Sequence, residues 1–492
     1  MLFNSFEFAL FLPLVFLLYW FVFNRNLKWQ NFFVVVVSYL FYGWWDWRFL
    51  LLIAFTTFCS WLSGVLIERY RTRSELNPAM RNWAKLVSGT NIILNLGILG
   101  VFKYFNFFVA SFVEAFASAG IHLQATTLHI VLLVGISFYT FQALSYSIDV
   151  YRKQLQPTKD IVAFFAYVSF FPQLVAGPIE RATNLLPQFY KARTFDYTQA
   201  VDGMRQMLWG FFKKIVIADN CAVYVNQVFD TYQDQSGSTL LLAAVLFALQ
   251  IYGDFSGYSD IAIGTSRLFG FNLMRNFNFP YFSRDIAEFW RRWHISLTTW
   301  FRDYLYIPLG GSRVSKAKVI RNTFIIFLVS GFWHGANWTF VVWGAFHALL
   351  FLPLIVLDKN RKNTNTVAEG RVLPSVKEFG QMVLTFGLVV IGWVFFRADT
   401  ITEAFDYLAS IMSLDIISVP WLKNRVYYIP LVLSVFMMFA FEWIQRTQQF
   451  GLATLFANNS MLRRILYLVL GVVIYFYFCY HNESNSFIYF QF

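Results

Sequence analysis

Apolar runs of about 20 residues recur along the whole sequence, and they limit what this chain can fold into. A helix needs about 20 apolar residues to cross a hydrocarbon core of about 30 Å. The candidate segments are 5–24, 30–46, 49–67, 88–112, 129–149, 162–176, 206–224, 239–252, 323–357, 379–396, 428–445 and 464–480. They predict an all-α integral membrane protein with about 11 transmembrane helices, some of them re-entrant or broken. We expect residues 1–492 to form a single polytopic membrane domain.

Charge and cysteine usage exclude several other classes of protein. Only 13% of the 492 residues are charged, about half the fraction of a soluble domain. The net charge of +12 comes from Lys and Arg in short loops between apolar runs, a pattern typical of multi-pass membrane proteins. No separate basic domain exists, so we expect no nucleic-acid partner. The three cysteines are far apart in the sequence, which argues against a disulfide framework or a zinc motif.

One apolar run is too long for a single straight helix. The 35 residues from Thr323 to Leu357 contain no Asp, Glu, Lys or Arg, and basic residues flank both ends. A straight helix of this length would measure about 52 Å. We therefore predict a hairpin or a broken helix, with the break at residues 331–337. This places His334 deep in the membrane, where an ionisable side chain is a candidate for function.

The other histidines differ in their surroundings. Asp285 to Tyr304 has the 3.6-residue periodicity of one amphipathic helix, with His294 on its aromatic face and a Glu288–Arg292 pair on the other side. Periodicity alone favours a buried, structural role for His294. His347 is interpreted as a packing residue or a residue that supports the site. The remaining three are interpreted as ordinary surface or interfacial residues: His122, His129 and His481.

These histidines do not have the spacing of a metal site or of a serine hydrolase. The sequence contains no H-x-x-x-H or H-x-x-E arrangement and no G-x-S-x-G elbow. A histidine with a pKa near 6.5 can instead take a proton from a hydroxyl group as that group attacks an acyl carbon. Burial lowers the pKa of such a histidine and keeps it neutral, the state that a base requires.

Two long motifs resemble a known family. Residues 289–312 (FWRRWHISLTTWFRDYLYIPLGGS) and 331–347 (GFWHGANWTFVVWGAFH) resemble the membrane-bound O-acyltransferase (MBOAT) superfamily, and within it the branch of bacterial alginate O-acetyltransferases. Residues 135–152, 171–181 and 252–264 agree with that branch. The resemblance implies helices around a central funnel or tunnel, with a catalytic core near 130–360. By the same resemblance, His334 matches the catalytic histidine and His294 the second active-site position.

The resemblance also implies substrates and partners. Acetyl-CoA would be the cytoplasmic acyl donor, with no permanently bound cofactor and no metal. The basic region 284–321 would lie near the phosphates of the donor, since phosphates require Lys or Arg. Further donor or tunnel candidates are Trp293, Trp333, Asn337, Asp303, Asp254, Arg291 and Arg292. For Asp254 we also consider a capping or hydrogen-bonding role, and for Asp303 local pairing with Arg302.

The expected function is O-acetylation of a cell-envelope or exported polysaccharide. The protein would lie in the bacterial inner membrane, contact membrane lipid, and work with an extracytoplasmic acyltransferase or acceptor protein. Peptidoglycan O-acetylation and D-alanyl transfer in a teichoic-acid pathway remain open alternatives within the same fold. A transporter is the alternative from a different class, but it predicts inverted repeats and intramembrane carboxylates. No internal repeat is apparent in the sequence.

Overall fold

A computed structural model describes residues 1–74, 80–123, 135–174, 177–420, 428–480 and 488. Within these ranges the regular structure is helical throughout, with no β-strand, which confirms the predicted all-α class. The chain divides into two compact units. The first contains Met1–Ala200 and Thr265–Leu273, and the second contains Val201–Gly264 and Met274–Phe492.

The first unit is built from helices in the N-terminal part of the chain. Ser5 and Asn26 accept hydrogen bonds from the backbone of the first turns and so fix where the first two helices begin. Two π-helical segments, Leu18–Val22 and Gly100–Tyr104, prolong α1 and α4 respectively. The helices are α1 (Phe6–Leu17), α2 (Leu27–Gly43), α3 (Arg48–Ser74), α4 (Met80–Leu99), α5 (Phe105–Ser118), α6 (Ile136–Tyr151), α7 (Ile161–Ser169), α8 (Phe171–Leu174), α9 (Ala182–Leu185) and the start of α10 (Tyr197–Phe211).

The second unit contains the remaining helices. A π-helical segment, Phe212–Ala218, joins α10 to the next helix, and another, Arg302–Tyr306, follows α14. The last residues of α12 belong to the first unit. The helices are α11 (Asp219–Phe229), α12 (Gly237–Leu268), α13 (Ile286–Arg292), α14 (Ile295–Phe301), α15 (Lys316–His334), α16 (Trp338–Val356), α17 (Val376–Arg397), α18 (Ile401–Ile411), α19 (Tyr428–Ile444) and α20 (Ser460–Tyr480).

Several of these helices are long and apolar enough to cross a membrane, which supports a multi-pass membrane protein. Among the described residues there are six: Arg48–Arg73, Met80–Ser118, Gly237–Leu268, Trp338–Val356, Val376–Arg397 and Ser460–Cys479. Phe6–Val22 and Tyr428–Ile444 are apolar but shorter. The predicted total of about 11 spans and the predicted funnel stay predictions. Parts of the expected spans 129–149 and 162–176 lie outside the described residues.

The long uncharged run folds as a helix hairpin, as predicted. Helix α15 ends at His334, and α16 begins at Trp338 after Asn337, whose side chain caps the new helix. The two helices pack closely through glycines. A Cβ atom added at Gly331 would collide with the carbonyl oxygen of Phe340, and one added at Gly344 with that of Phe327. The break therefore holds His334 at the buried tip of α15.

The prediction of one continuous helix from Asp285 to Tyr304 is wrong. Helix α13 ends at Arg292, and α14 begins at Ile295. Two backbone hydrogen bonds hold the interruption against a neighbouring extended segment: Asn278 N to Arg292 O, and Ile295 N to Asn276 O, each 2.9 Å. These long-range bonds satisfy backbone groups that a continuous helix would otherwise pair within itself.

Candidate active site

The structure brings His294 and His334 together in the second unit. His334 is the last residue of α15, and His294 directly precedes α14. Their ring centroids are 6.5 Å apart, and the ring planes are inclined by 57°. Both side chains are buried, with relative exposures of 1% for His294 and 4% for His334. Two imidazoles from separate elements thus share one buried site.

Aromatic rings surround this pair of histidines. The Trp333 ring lies 6.1 Å from that of His294 and 5.0 Å from that of His334. Trp343 and Phe396 meet His334 edge-on at 5.1 Å and 5.4 Å. Because these rings displace water, charge on a reacting group is screened less here than in solvent. Trp333, one of the predicted candidates, therefore belongs to the wall of the site.

The backbone of His294 adopts a conformation that is rare for a residue with a side chain. Its φ of 44° and ψ of 54° lie in the left-handed region, which costs a non-glycine residue about 1–2 kcal/mol. The backbone hydrogen bonds on both sides of the interruption between α13 and α14 hold this conformation. Such strained residues persist where the surrounding structure over-determines them, and they cluster at functional sites.

The imidazole of His294 has a polar partner on one side. Its Nδ1 atom lies 3.1 Å from Oδ1 of Asn276, and the same oxygen accepts from the Ser296 hydroxyl at 2.9 Å. Burial lowers the pKa of His294 to about 3, so the ring is neutral at physiological pH. A neutral imidazole can accept a hydrogen bond or a proton through its second nitrogen.

Trp293 lies behind the site and packs against other rings. Its ring centroid is 5.0 Å from that of Trp393 and 5.0 Å from that of Phe277. Phe277 in turn stacks on His294 at 6.5 Å. Trp293 therefore packs behind Phe277, one of the rings that contact His294.

Three predicted candidates have other partners. Asn337 caps α16 through Thr339 N and donates to Asp399 O at 2.8 Å. Asp303 forms an ion pair with Arg302 at 2.6 Å, the local pairing that we considered. Asp254 forms a buried ion pair with Lys214 at 2.7 Å. These contacts give each side chain a structural role, so none of the three is needed to explain the histidine site.

The two predicted arginines, Arg291 and Arg292, have different partners. The expected Glu288–Arg292 pair is confirmed, at 2.8 Å, but it is buried rather than on a solvent-facing side. Arg291 instead donates to the carbonyl oxygens of Asn360 and Asn363, at 2.8 and 2.7 Å, and lines a cavity. Arg291 thus lies at the cavity and is held by loop carbonyl groups, whereas Arg292 stabilises α13.

The cavity has a volume of about 280 Å³ and combines basic and apolar residues. Its arginines are Arg291, Arg302 and Arg361. Its apolar wall includes Trp290 and Phe327, and other lining residues are Ala287, Thr298, Tyr306, Ser312, Val319, Thr323, Ile326, Phe351, Ile355 and Asn360. Such a lining suits a ligand with an anionic part and a less polar part.

A short chain of rings connects the cavity wall to His334. Trp290 lies 5.5 Å from Trp343, and Trp343 lies 5.1 Å from His334, measured between ring centroids. His347 packs on the same two tryptophans, at 5.0 Å from Trp290 and 5.1 Å from Trp343. The arginine-lined cavity is therefore connected to His334 through two tryptophan rings, that of Trp290 in the cavity wall and that of Trp343 behind it.

Sequence reasoning missed Asn276 and Trp290. Asn276 lies in a segment with no motif of its own, so no local signal pointed to it. Trp290 lies in the same motif as His294, and this shared motif could have indicated that Trp290 lies near the site. Of the histidines interpreted as ordinary, His122 is exposed, while His129 and His481 lie outside the described residues. In the described part of the chain, no group of three or more His, Cys, Asp or Glu side chains could hold a metal ion.

Comparisons with known proteins show the family to which this chain is similar. The model of the family described as MBOAT, membrane-bound O-acyltransferase family, matches residues 152–395, which include both histidines. Probable alginate O-acetylase AlgI of Pseudomonas aeruginosa is 42% identical over 84% of this chain and 75% of that protein. Peptidoglycan O-acetyltransferase of Helicobacter pylori is 34% identical over 86% and 82% respectively. Teichoic acid D-alanyltransferase of Bacillus subtilis is 28% identical over 54% and 69%.

Proposed function

Because the chain belongs to the membrane-bound O-acyltransferase family, we propose that it takes acetyl from cytoplasmic acetyl-CoA for O-acetylation of an exported or cell-envelope polysaccharide such as alginate. Membership of this family makes the chain an acyltransferase, so we no longer consider the alternative of a transporter. The observation that carries the proposal is the buried pair His294–His334, connected to an arginine-lined cavity through the rings of Trp290 and Trp343. The similarity to alginate O-acetylases over more than four fifths of the chain supports the choice of substrate.

The cavity supports acetyl-CoA as the donor. Coenzyme A carries phosphates at one end and a thioester at the other, and Arg291, Arg302 and Arg361 offer guanidinium groups that pair well with phosphate. Trp290 and Phe327 form an apolar wall, and Trp290 contacts Trp343, which packs against His334. We propose that the phosphates bind at the arginines and that the acetyl thioester is directed toward His334.

The transfer needs a general base, and we assign this role to His334. His334 takes the proton from the acceptor hydroxyl as its oxygen forms a bond to the acetyl carbon. The carbon–sulfur bond then breaks, coenzyme A leaves as the thiolate, and the proton passes to that sulfur. His294, 6.5 Å away between ring centroids, orients the reacting groups. Proton and charge are balanced without any further reactant.

The acetyl donor and the polysaccharide acceptor lie on opposite sides of the membrane, which suggests a partner protein. Acetyl-CoA is a cytoplasmic metabolite, whereas exported polysaccharide lies beyond the membrane. We therefore propose a multi-pass protein of the bacterial inner membrane, surrounded by lipid, that passes acetyl to an extracytoplasmic acyltransferase or acceptor protein. Within the described residues the connections between helices are short, and the longest is the 19-residue connection between α16 and α17 at 357–375.

Peptidoglycan is the second candidate acceptor. The relative named peptidoglycan O-acetyltransferase matches 86% of this chain, slightly more than the alginate relatives, but at lower identity. D-alanyl transfer has weaker support, because the relative with that name matches 54% of the chain. The identity of the acyl donor distinguishes D-alanyl transfer from the two O-acetylation reactions, since D-alanine would arrive on a carrier protein.

The test is acetyl transfer from radiolabelled acetyl-CoA by the full-length protein in everted membrane vesicles, counted as alkali-labile ester. We expect His334→Ala to lower the rate at least about a hundredfold, with an unchanged elution profile in detergent. His122→Ala, at an exposed position, serves as the matched control and should leave the rate unchanged. Full activity of a folded His334→Ala variant would refute the mechanism. A wild-type protein that never uses acetyl-CoA would refute the donor.

A further inference from the structure

We propose that Asn276 is a positioning residue that fixes the tautomer of His294, with the proton on Nδ1 and the lone pair on Nε2. Asn276 lies 18 residues before His294, in the extended segment between α12 and α13. Through this contact His294 would present an acceptor, not a donor, to the reacting groups. The role in catalysis rests on the proposed function, but the tautomer itself does not.

The orientation of the Asn276 amide is set by a backbone group. Ser296 N lies 3.3 Å from Oδ1 of Asn276, and a backbone N–H can only donate. The atom facing it must therefore be the amide oxygen, because the amide nitrogen would place two donors in contact. On its other side, Nδ2 of Asn276 donates to the hydroxyl of Ser259 at 3.1 Å.

The orientation of the amide then determines the proton on His294. Oδ1 of Asn276 is an acceptor, and Nδ1 of His294 lies 3.1 Å from it. A neutral imidazole carries one N–H, so a proton on Nδ1 leaves a lone pair on Nε2, on the far side of the ring. The reverse tautomer would place the lone pairs of nitrogen and oxygen against each other in a buried site.

Asn276 is held firmly enough to impose this choice. Its side chain is fully buried, as are those of Ser259 and Ser296. Its backbone carbonyl accepts from Ile295 N at 2.9 Å, which ties it to the residue that follows His294. The amide therefore cannot turn without losing its contacts to Ser259, Ser296 and His294.

Among the described residues, rings pack around His294. The titratable imidazole of His334 lies 6.5 Å away, and Phe255 and Phe277 pack on the ring from the neighbouring segments. Beyond Ser259, the adjacent Asp260 forms an ion pair with Lys213 at 2.6 Å. A carboxylate introduced at position 276 would therefore be the dominant new charge on His294.

The direct test is ¹⁵N NMR of the full-length protein in detergent, labelled only at its six histidines. Protonated and lone-pair nitrogens of imidazole differ widely in ¹⁵N shift, and loss of a signal in His294→Asn assigns the residue. We expect Nδ1 of His294 to be protonated and Nε2 to carry the lone pair. A proton on Nε2 would overturn the inference, whatever substrate the protein uses.

The functional test compares Asn276→Asp with Asn276→Leu in the acetyl-transfer assay. The aspartate still accepts from Nδ1–H, so we expect it to retain most of the rate at neutral pH. Its charge stabilises the imidazolium, so the acidic limb of the pH–rate profile should move to higher pH by about one unit. The leucine removes the acceptor, and kcat should fall about a hundredfold while KM for acetyl-CoA stays constant.

These outcomes separate positioning from mere packing. If the folded aspartate and leucine variants lost activity equally, with no change in pH profile, Asn276 would be only structural and the inference would fail. If the wild-type protein transferred no acetyl at all, the proposed function would fail, and the NMR result would still decide the tautomer.

Discussion

In the second unit, the contacts of a charged side chain indicate whether it stabilises the fold or can bind a ligand. Arg292 and Glu288 satisfy each other in the interior. Arg361 is exposed beside the cavity, and its guanidinium makes a long hydrogen bond, 3.4 Å, to the hydroxyl of Ser312. A guanidinium held this loosely can exchange its partner for a phosphate at little cost, so ligand binding should depend on it.

Substitution of Arg361 by alanine should weaken donor binding without affecting chemistry. We expect KM for acetyl-CoA to rise about tenfold and kcat to stay constant, because the lost interaction is equal in ground and transition states. Lys359→Ala provides the control, since Lys359 is a cation in the same loop that does not line the cavity. Equal effects of the two substitutions would indicate general electrostatic attraction instead of a phosphate contact.

The buried His294 should make stability depend on pH. Burial lowers its pKa to about 3, so below the unfolded value of about 6.5 the unfolded state binds the proton more readily than the folded state. Stability is therefore complete above pH 6.5 and falls as the pH decreases, by about 2 kcal/mol at pH 5. Thermal unfolding between pH 5 and 8 should show a steeper decline for wild type than for His294→Asn. Parallel curves would contradict this assignment.

Among the elements, the hairpin of α15 and α16 positions His334. Its break allows the chain to turn within the uncharged run, and the side chain of Asn337 accepts a hydrogen bond from Thr339 N at the start of α16. Gly331 and Gly344 let the two backbones approach, since any side chain there would meet a carbonyl oxygen of the other helix. The position of His334 therefore depends on residues with no side chain.

Gly344→Ala should push α15 and α16 apart. The added methyl group would overlap the carbonyl oxygen of Phe327, and we expect a loss of about 1–3 kcal/mol in unfolding free energy together with lower activity. Gly387→Ala in α17 is the matched control, because a Cβ atom there meets nothing within 4 Å. Thermal melts of the two variants in the same detergent provide the measurement. A stable, fully active Gly344→Ala protein would show that the hairpin tolerates separation.

At the scale of the whole second unit, buried charges hold separate elements together. Lys214 lies in the π-helical segment 212–218 and forms ion pairs with Asp219 at 2.9 Å and with Asp254 at 2.7 Å. The side chains are 1%, 7% and 3% exposed respectively. Removing one member of such a cluster leaves buried charge without compensation, which is far more damaging than removing an exposed pair.

Lys214→Met should therefore be severely destabilising. We expect a loss of about 3–5 kcal/mol in unfolding free energy, and partial rescue when Asp219 and Asp254 are replaced by asparagine in the same chain. Lys316→Met is the comparison, since its ion pair with Asp358 is 50% and 78% exposed and should contribute less than about 1 kcal/mol. Similar melting temperatures for the two lysine variants would rule out a structural role for the buried cluster.

The sequence by itself determined the class of protein and the break near His334, whereas a role for His294 beside it was predicted only through the resemblance of the two motifs to a family. These features are local: the length of an apolar run, the absence of charge within it and the glycines at its break constrain the backbone directly. Only the tertiary structure decided how His294 is held, which arginine reaches the cavity and which carboxylates are neutralised by lysine. Those outcomes depend on hydrogen bonds and ion pairs between residues far apart in sequence, such as Asn276 with His294 and Lys214 with Asp254. Helical periodicity carries no information about such contacts, because they form only after the helices have packed.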